Sequence, residues 1–107
     1  MYKADKEMEE LVSLLMRLNL KRPIARTLAF LIDGEEYTSH EIERISGLRQ
    51  PEVSVAMKYL SKRKWISQRE YKKENAKGRP VKLYKLKLPM SDIITIIEKE
   101  ILEDRFH

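Results

Sequence analysis

The residues best suited to chemistry with another molecule lie between positions 49 and 62: Arg49, Gln50, Ser54, Val55, Lys58 and Lys62. Amides and hydroxyls can hydrogen-bond the edge of a partner, and guanidinium and ammonium groups can pair with its anions. A second cationic set, Lys73, Lys77 and Arg79, lies beside Gly78 and Pro80. This is binding chemistry. No Gly-rich phosphate loop, no paired catalytic carboxylates and no nucleophile–base set can be found, so the chain reads as a non-enzyme. It has no cysteine, which excludes a disulfide framework, thiol catalysis and Cys-ligated metal. His40 and His107, its two histidines, are far apart in sequence. A histidine metal cluster is therefore not expected, no cofactor is implied, and His40 reads as a surface or hydrogen-bonded residue.

Charge sharpens this reading. The 107 residues carry 22 Lys and Arg against 17 Asp and Glu, a formal net charge of +5. Residues 1–48 hold 7 basic and 9 acidic groups, and residues 89–107 hold 2 and 5. Residues 49–88 hold 13 basic and 3 acidic groups, so a block at +10 sits between two mildly acidic flanks. A lysine-rich solvated surface would intersperse glutamate with lysine. The one-signed block instead reads as a footprint for a polyanion, most often nucleic acid.

These residues must be held by a scaffold, and the length and the 42% hydrophobic content allow one folded domain over 1–107. Residues 5–19 have the apolar spacing of a helix (Met8, Leu11, Val12, Leu15, Leu18), and Leu14 and Met16 widen its apolar sector. Residues 23–33 form a second helix, opened by Pro23 and stopped by Asp33-Gly34. Thr38 and Glu41 fit a capping box for a short third helix, 39–46, whose Ile42 and Ile45 face inward and which Gly47 ends. Pro51 and Glu52 open a fourth, 51–63, burying Val53, Ala56, Met57 and Leu60. Its opposite face shows Glu52, Ser54, Val55, Lys58, Tyr59 and Lys62. Residues 65–72 and 81–88 read as two strands joined by a basic tip, with Val81, Leu83, (Tyr84), Leu86 and Leu88 alternating imperfectly with Lys82, Lys85 and Lys87. Residues 91–105 suit a last helix striped by Ile93, Ile94, Ile97 and Ile101. Isoleucine propensity alone would also allow a strand there. The expected class is mainly α with a small β-hairpin (α+β).

From Thr38 to Lys64 the order is capped helix, turn at Gly47-Leu48-Arg49-Gln50, and a second helix with a polar outer face. This is a helix-turn-helix over 38–64. Buried residues of the first helix set the angle of the second. The second must present short or polar groups outward to enter a groove, where Arg49, Gln50, Glu52, Ser54 and Val55 would reach base edges. Lys58, Tyr59 and Lys62 lie further along, within reach of phosphates or further bases. Glu52 weighs more as a partner for the positive helix end than as a reader of cytosine, and Tyr59 more as a packing residue.

The stretch TSHEIERISGLRQPEVSVAMKYLSKRKWI resembles the helix-turn-helix of winged-helix regulators of the MarR, ArsR and TrmB kind, and KKENAKGRPVKLYKL resembles their wing. The likeness covers about 20–88, with the wing at 65–88, and is closest to small archaeal single-domain regulators. It implies sequence-selective binding of double-stranded DNA by a homodimer, often a repressor. The helix 51–63 would enter the major groove, and the wing at 73–80 would meet the minor groove or backbone. Gln50, Ser54 and Lys58 sit where such proteins read bases or grip phosphates, and Arg79 sits at the wing tip, suited to a narrow minor groove. Lys73 and Lys77 are balanced between DNA contact and solvated side chain. One departure stands out. The family has a glycine before the first wing strand, and here Lys64-Trp65 must make that turn, with Trp65 under the hairpin.

A last helix as apolar as 91–105 would leave an exposed patch unless covered. Dimerisation through Met8, Leu11 and Leu15 of the first helix and Ile94, Ile97 and Ile101 of the last is the expected cover. A small-molecule effector could bind between these helices, although no residue type reveals one. A charged N-terminus and the lack of an apolar run of about 18 residues suggest a cytoplasmic protein without membrane contact. The alternatives are a winged-helix module that binds protein, a nonspecific or architectural nucleic-acid binder, and a single-strand or RNA binder. The last would want exposed aromatics, for which Tyr71 and Tyr84 are the candidates.

Overall fold

Local signals fix most of the elements. A computed structural model describes residues 5–72 and 80–105. In chain order these form α1 (Asp5–Arg17), α2 (Arg22–Phe30), a 3₁₀ turn (Leu31–Asp33), β1 (Tyr37–Thr38), α3 (Ser39–Ser46), α4 (Gln50–Lys62), β2 (Ile66–Tyr71), β3 (Val81–Leu86) and α5 (Met90–Arg105). The expected mainly helical α+β class is the one observed.

Each boundary has a cause. At the start of α3, Thr38 Oγ1 accepts from the Glu41 N–H at 3.0 Å, and Glu41 returns a carboxylate oxygen to the Thr38 N–H at 2.8 Å. Gly47 ends α3 at φ 77°, a conformation that costs an L side chain about 1–2 kcal/mol. α1 closes with Asn19 at φ 73°, where the Leu20 N–H reaches back to the Leu15 carbonyl at 3.2 Å. That bond, with the Asn19 N–H on the Met16 carbonyl, satisfies the last free acceptors of the helix. The second helix is shorter than 23–33, because its last residues tighten into the 3₁₀ turn before Gly34.

The sheet is antiparallel in the order β1–β3–β2. β1 was not anticipated, since two residues carry no alternation. It pairs Tyr37 with Tyr84 and Thr38 with Leu83, and the Tyr37 ring packs on Phe30 at 4.5 Å between centroids. The alternation along β3 also differs from the expected one. Tyr84 is buried and Leu86 shares its face, whereas Leu83, paired with Thr38 of β1, lies on the other face and Val81 is exposed. Aromatic burial sets the parity of this strand and the aliphatic residues do not.

The core gathers Val12 and Leu15 of α1, Leu28 of α2, Ile42 of α3, Val53 and Leu60 of α4, Trp65, and Ile93 and Ile97 of α5. Ile45, expected to face inward, is 38% exposed. A helix of two turns buries one narrow stripe, and Ile42 with Ser46 fills it. Leu15 and Ile97 are likewise buried within the single chain. They therefore pack the protomer's own core rather than a surface for a partner. Met8, Leu11, Ile94 and Ile101 remain half-buried, and Leu14, Met16 and Leu102 are exposed.

Candidate nucleic-acid interface

The second helix of the helix-turn-helix is presented by hydrogen bonds at both ends. α4 begins at Gln50, one residue before the expected start, with Arg49 as its cap residue. The Arg49 N–H donates to Glu52 Oε1 at 2.9 Å, so Glu52 serves the helix start. The turn before it is pinned from α2. Arg26 Nε donates to the Ser46 carbonyl at 3.1 Å, and its Nη1 pairs with Glu9 of α1 at 3.0 Å. Within the turn, the Leu48 N–H donates to Ser46 Oγ, and Leu48 is buried. α4 thus meets α3 at an angle fixed by buried contacts and by one guanidinium that spans three helices.

The far end of α4 closes without glycine. Lys64 takes φ 63°, the Trp65 N–H bonds the Leu60 carbonyl at 3.1 Å, and the Lys64 N–H bonds that of Ser61 at 3.0 Å. Lys64 thus makes a left-handed turn at the junction before the first wing strand without a glycine. Trp65 is buried and packs edge-on against Tyr59. Its carbonyl accepts from the Lys87 N–H at 2.8 Å, tying the end of β3 to the start of β2.

Arg49, Gln50, Ser54, Val55, Lys58 and Lys62 are all exposed. They do not all line one cleft. Gln50, Ser54 and Lys58 line a polar cleft of about 370 Å³ between α4 and the sheet. Val55 is exposed on another part of the helix, and Lys62 borders a separate hollow with Tyr59, Arg63 and Glu100, between α4 and α5. Lys73, Lys77 and Arg79 lie outside the described residues.

The cleft also contains residues that the sequence reading missed: Ser61 on α4, and Gln68 and Lys82 on the strands. The pairs Gln68–Tyr84 and Glu70–Lys82 put Gln68 and Lys82 on the same sheet face as Tyr84. Had the buried tyrosine been taken as the marker of parity, strand alternation would have found both. Two cations of the basic block are engaged elsewhere. Arg69, on the opposite sheet face, holds Glu36 through Nε at 2.6 Å and Nη2 at 2.7 Å. Glu36 is shifted below the ordinary carboxylate range, first by that hydrogen bond. Arg63 is paired with Glu100 of α5.

Among the described residues no helix is long and apolar enough to cross a membrane, and no cluster of His, Asp and Glu could hold a metal ion.

No protein-family model matches the chain, and no curated protein matches its sequence. Solved structures do match its shape. One, described as a possible transcriptional regulator from Methanosarcina mazei, aligns with a TM-score of 0.67 at 18% identity. The alignment covers 92% of this chain and 81% of that one. A MarR family regulator from Neisseria meningitidis aligns with a TM-score of 0.55 at 15% identity, covering 97% of this chain and 80% of that one. The element order, the β1–β3–β2 sheet and this likeness show that the chain has the winged helix-turn-helix fold, flanked by an N-terminal and a C-terminal helix.

Proposed function

We propose that the protein is a transcription regulator that binds double-stranded DNA sequence-selectively as a homodimer. The observation that carries this reading is the exposed face of α4, where Gln50, Ser54 and Lys58 stand free on a rigidly held helix within a basic block. The two structures of similar shape are described as regulators, which agrees with it. In this reading α4 lies in the major groove with Arg49, Gln50, Ser54 and Val55 toward base edges. Lys58 and Lys62 meet phosphates, and the wing tip carries Lys73, Lys77 and Arg79 to the minor groove or backbone. Repression follows the resemblance, and the protein acts in the cytoplasm without a cofactor.

The dimer forms through α1 and α5. Met8, Leu11, Ile94 and Ile101 are apolar and half-buried, and exposed Leu14, Met16 and Leu102 extend their helices' apolar surface. Any effector would enter beside these helices.

The test is selection of bound sequences from a random duplex library at two salt concentrations. An enriched pseudo-palindrome is the expected result. Affinity should fall about 10³–10⁵-fold from about 50 to 200 mM salt if 6–10 phosphates are engaged. Arg79→Ala should weaken binding and Gln50→Ala should relax the selected sequence. Binding without enrichment would indicate an architectural role, and no binding would move the assignment to a protein partner.

A further inference from the structure

We propose that the cleft between α4 and the sheet clamps one backbone phosphate of duplex DNA, between Lys58 and Ser61 on the helix and Gln68 and Lys82 on the strands. The inference rests on the DNA-binding reading and assigns it a site on the body of the sheet, distinct from the wing tip.

The DNA-binding reading calls for something of this kind. With α4 in a major groove and the wing tip in the adjacent minor groove, one sugar–phosphate strand separates the two. In that reading the strand crosses the opening between helix and sheet. An open cleft of about 370 Å³ is present there.

The chemistry of the walls agrees. Lys58, Ser61, Gln68 and Lys82 are exposed, and all four can donate hydrogen bonds. None has a side-chain hydrogen bond or ion pair to another described residue, whereas Arg69 on the opposite sheet face is held by two bonds to Glu36. Glu43 of α3 also lines the cleft, and Glu70 lies opposite Lys82 on β2. These acids temper the field without occupying the donors. Two lysines lining the cleft from different elements suit the singly charged phosphodiester, whose free oxygens accept donors from several directions.

The test measures duplex affinity across salt for the wild type, Lys82→Ala, Gln68→Glu and Lys85→Ala, on the selected sequence. Strand alternation puts Lys85 on the sheet face away from the cleft, where it serves as the control. Loss of one phosphate contact per protomer should reduce the slope of log affinity against log salt by ~0.9, or ~1.8 for a dimer. The selected sequence should not change. Gln68→Glu, which sets an anion in the cleft at nearly constant volume, should weaken binding at least tenfold at low salt. Lys85→Ala should leave the slope as in the wild type.

If the wild type binds and both Lys82→Ala and Gln68→Glu are silent, the clamp is overturned and the regulator reading stands. A changed sequence preference in Lys82→Ala would also overturn it, in favour of a base contact. If the wild type binds no duplex, the regulator reading fails and the clamp with it. Thermal melts establish that each variant folds, and Gln68→Glu decides the matter should Lys82→Ala not fold.

Discussion

The guanidinium of Arg63 lies over the ring of Trp65, 4.2 Å from its centroid, while the same group is paired with Glu100 of α5. One side chain thus joins the end of the proposed recognition helix, the base of the wing and the last helix. Arg63 belongs to the basic block by sequence but is engaged inside the protomer. Arg63→Ala should lower stability by about 1–2 kcal/mol, the sum of a cation–π contact and a partly exposed ion pair. Denaturant melts check the loss. The salt dependence of DNA binding should stay as in the wild type, in contrast to Lys58→Ala.

Lys64 occupies a left-handed position at φ 63°. Lys64→Gly should therefore stabilise the fold by about 0.5–1 kcal/mol, because relief of the side-chain clash outweighs the added freedom of the unfolded chain. Chemical denaturation would show a raised midpoint with an unchanged slope.

Thr38 caps α3 and contributes to the sheet through β1. Thr38→Ala removes the acceptor for the Glu41 N–H and should cost about 1 kcal/mol. For a domain of this size that lowers Tm by roughly 4–8 °C. Thr38→Ser keeps the oxygen and should recover most of the loss.

The phenol of Tyr37 donates to the Asp33 carboxylate, and this bond, with burial and the nearby acids, pushes its pKa up to about 12. The folded chain holds this proton more tightly than the unfolded chain. The associated stability is complete below about pH 10, the ordinary phenol value, and is lost as pH rises through about 12. Ultraviolet titration of phenolate should show a late step that belongs to Tyr37. That late step should be absent in Tyr37→Phe and shifted to lower pH in Asp33→Asn.

Much of this architecture is legible in the residues. Pro23, Pro51, the Thr38–Glu41 pair, Gly34 and Gly47 each force a local conformation, so helix starts and stops fall within a few residues of expectation. What short-range chemistry cannot carry is which apolar face meets which neighbour. Leu15 and Met8 look alike as members of one stripe, yet Leu15 is wholly inside the protomer. β1 is invisible because its two residues are specified by β3, far along the chain. The outward face of α4 could be read from its polarity. Its continuation onto Gln68 and Lys82 is hidden while the aliphatic residues are taken to set strand parity, and shows only when the buried tyrosine does.

The two-faced sheet has a consequence for how this wing can change length. Arg69 and Glu36 close one side while Gln68 and Lys82 open the other, and the sides alternate with every residue. Inserting a single residue between Ile66 and Gln68 would send an arginine into the cleft and a glutamine out of it, breaking the ion pair and reversing the surface together. A two-residue insertion in each strand would preserve every facing and simply lengthen the reach. Length changes made inside the paired strands should therefore come in even steps.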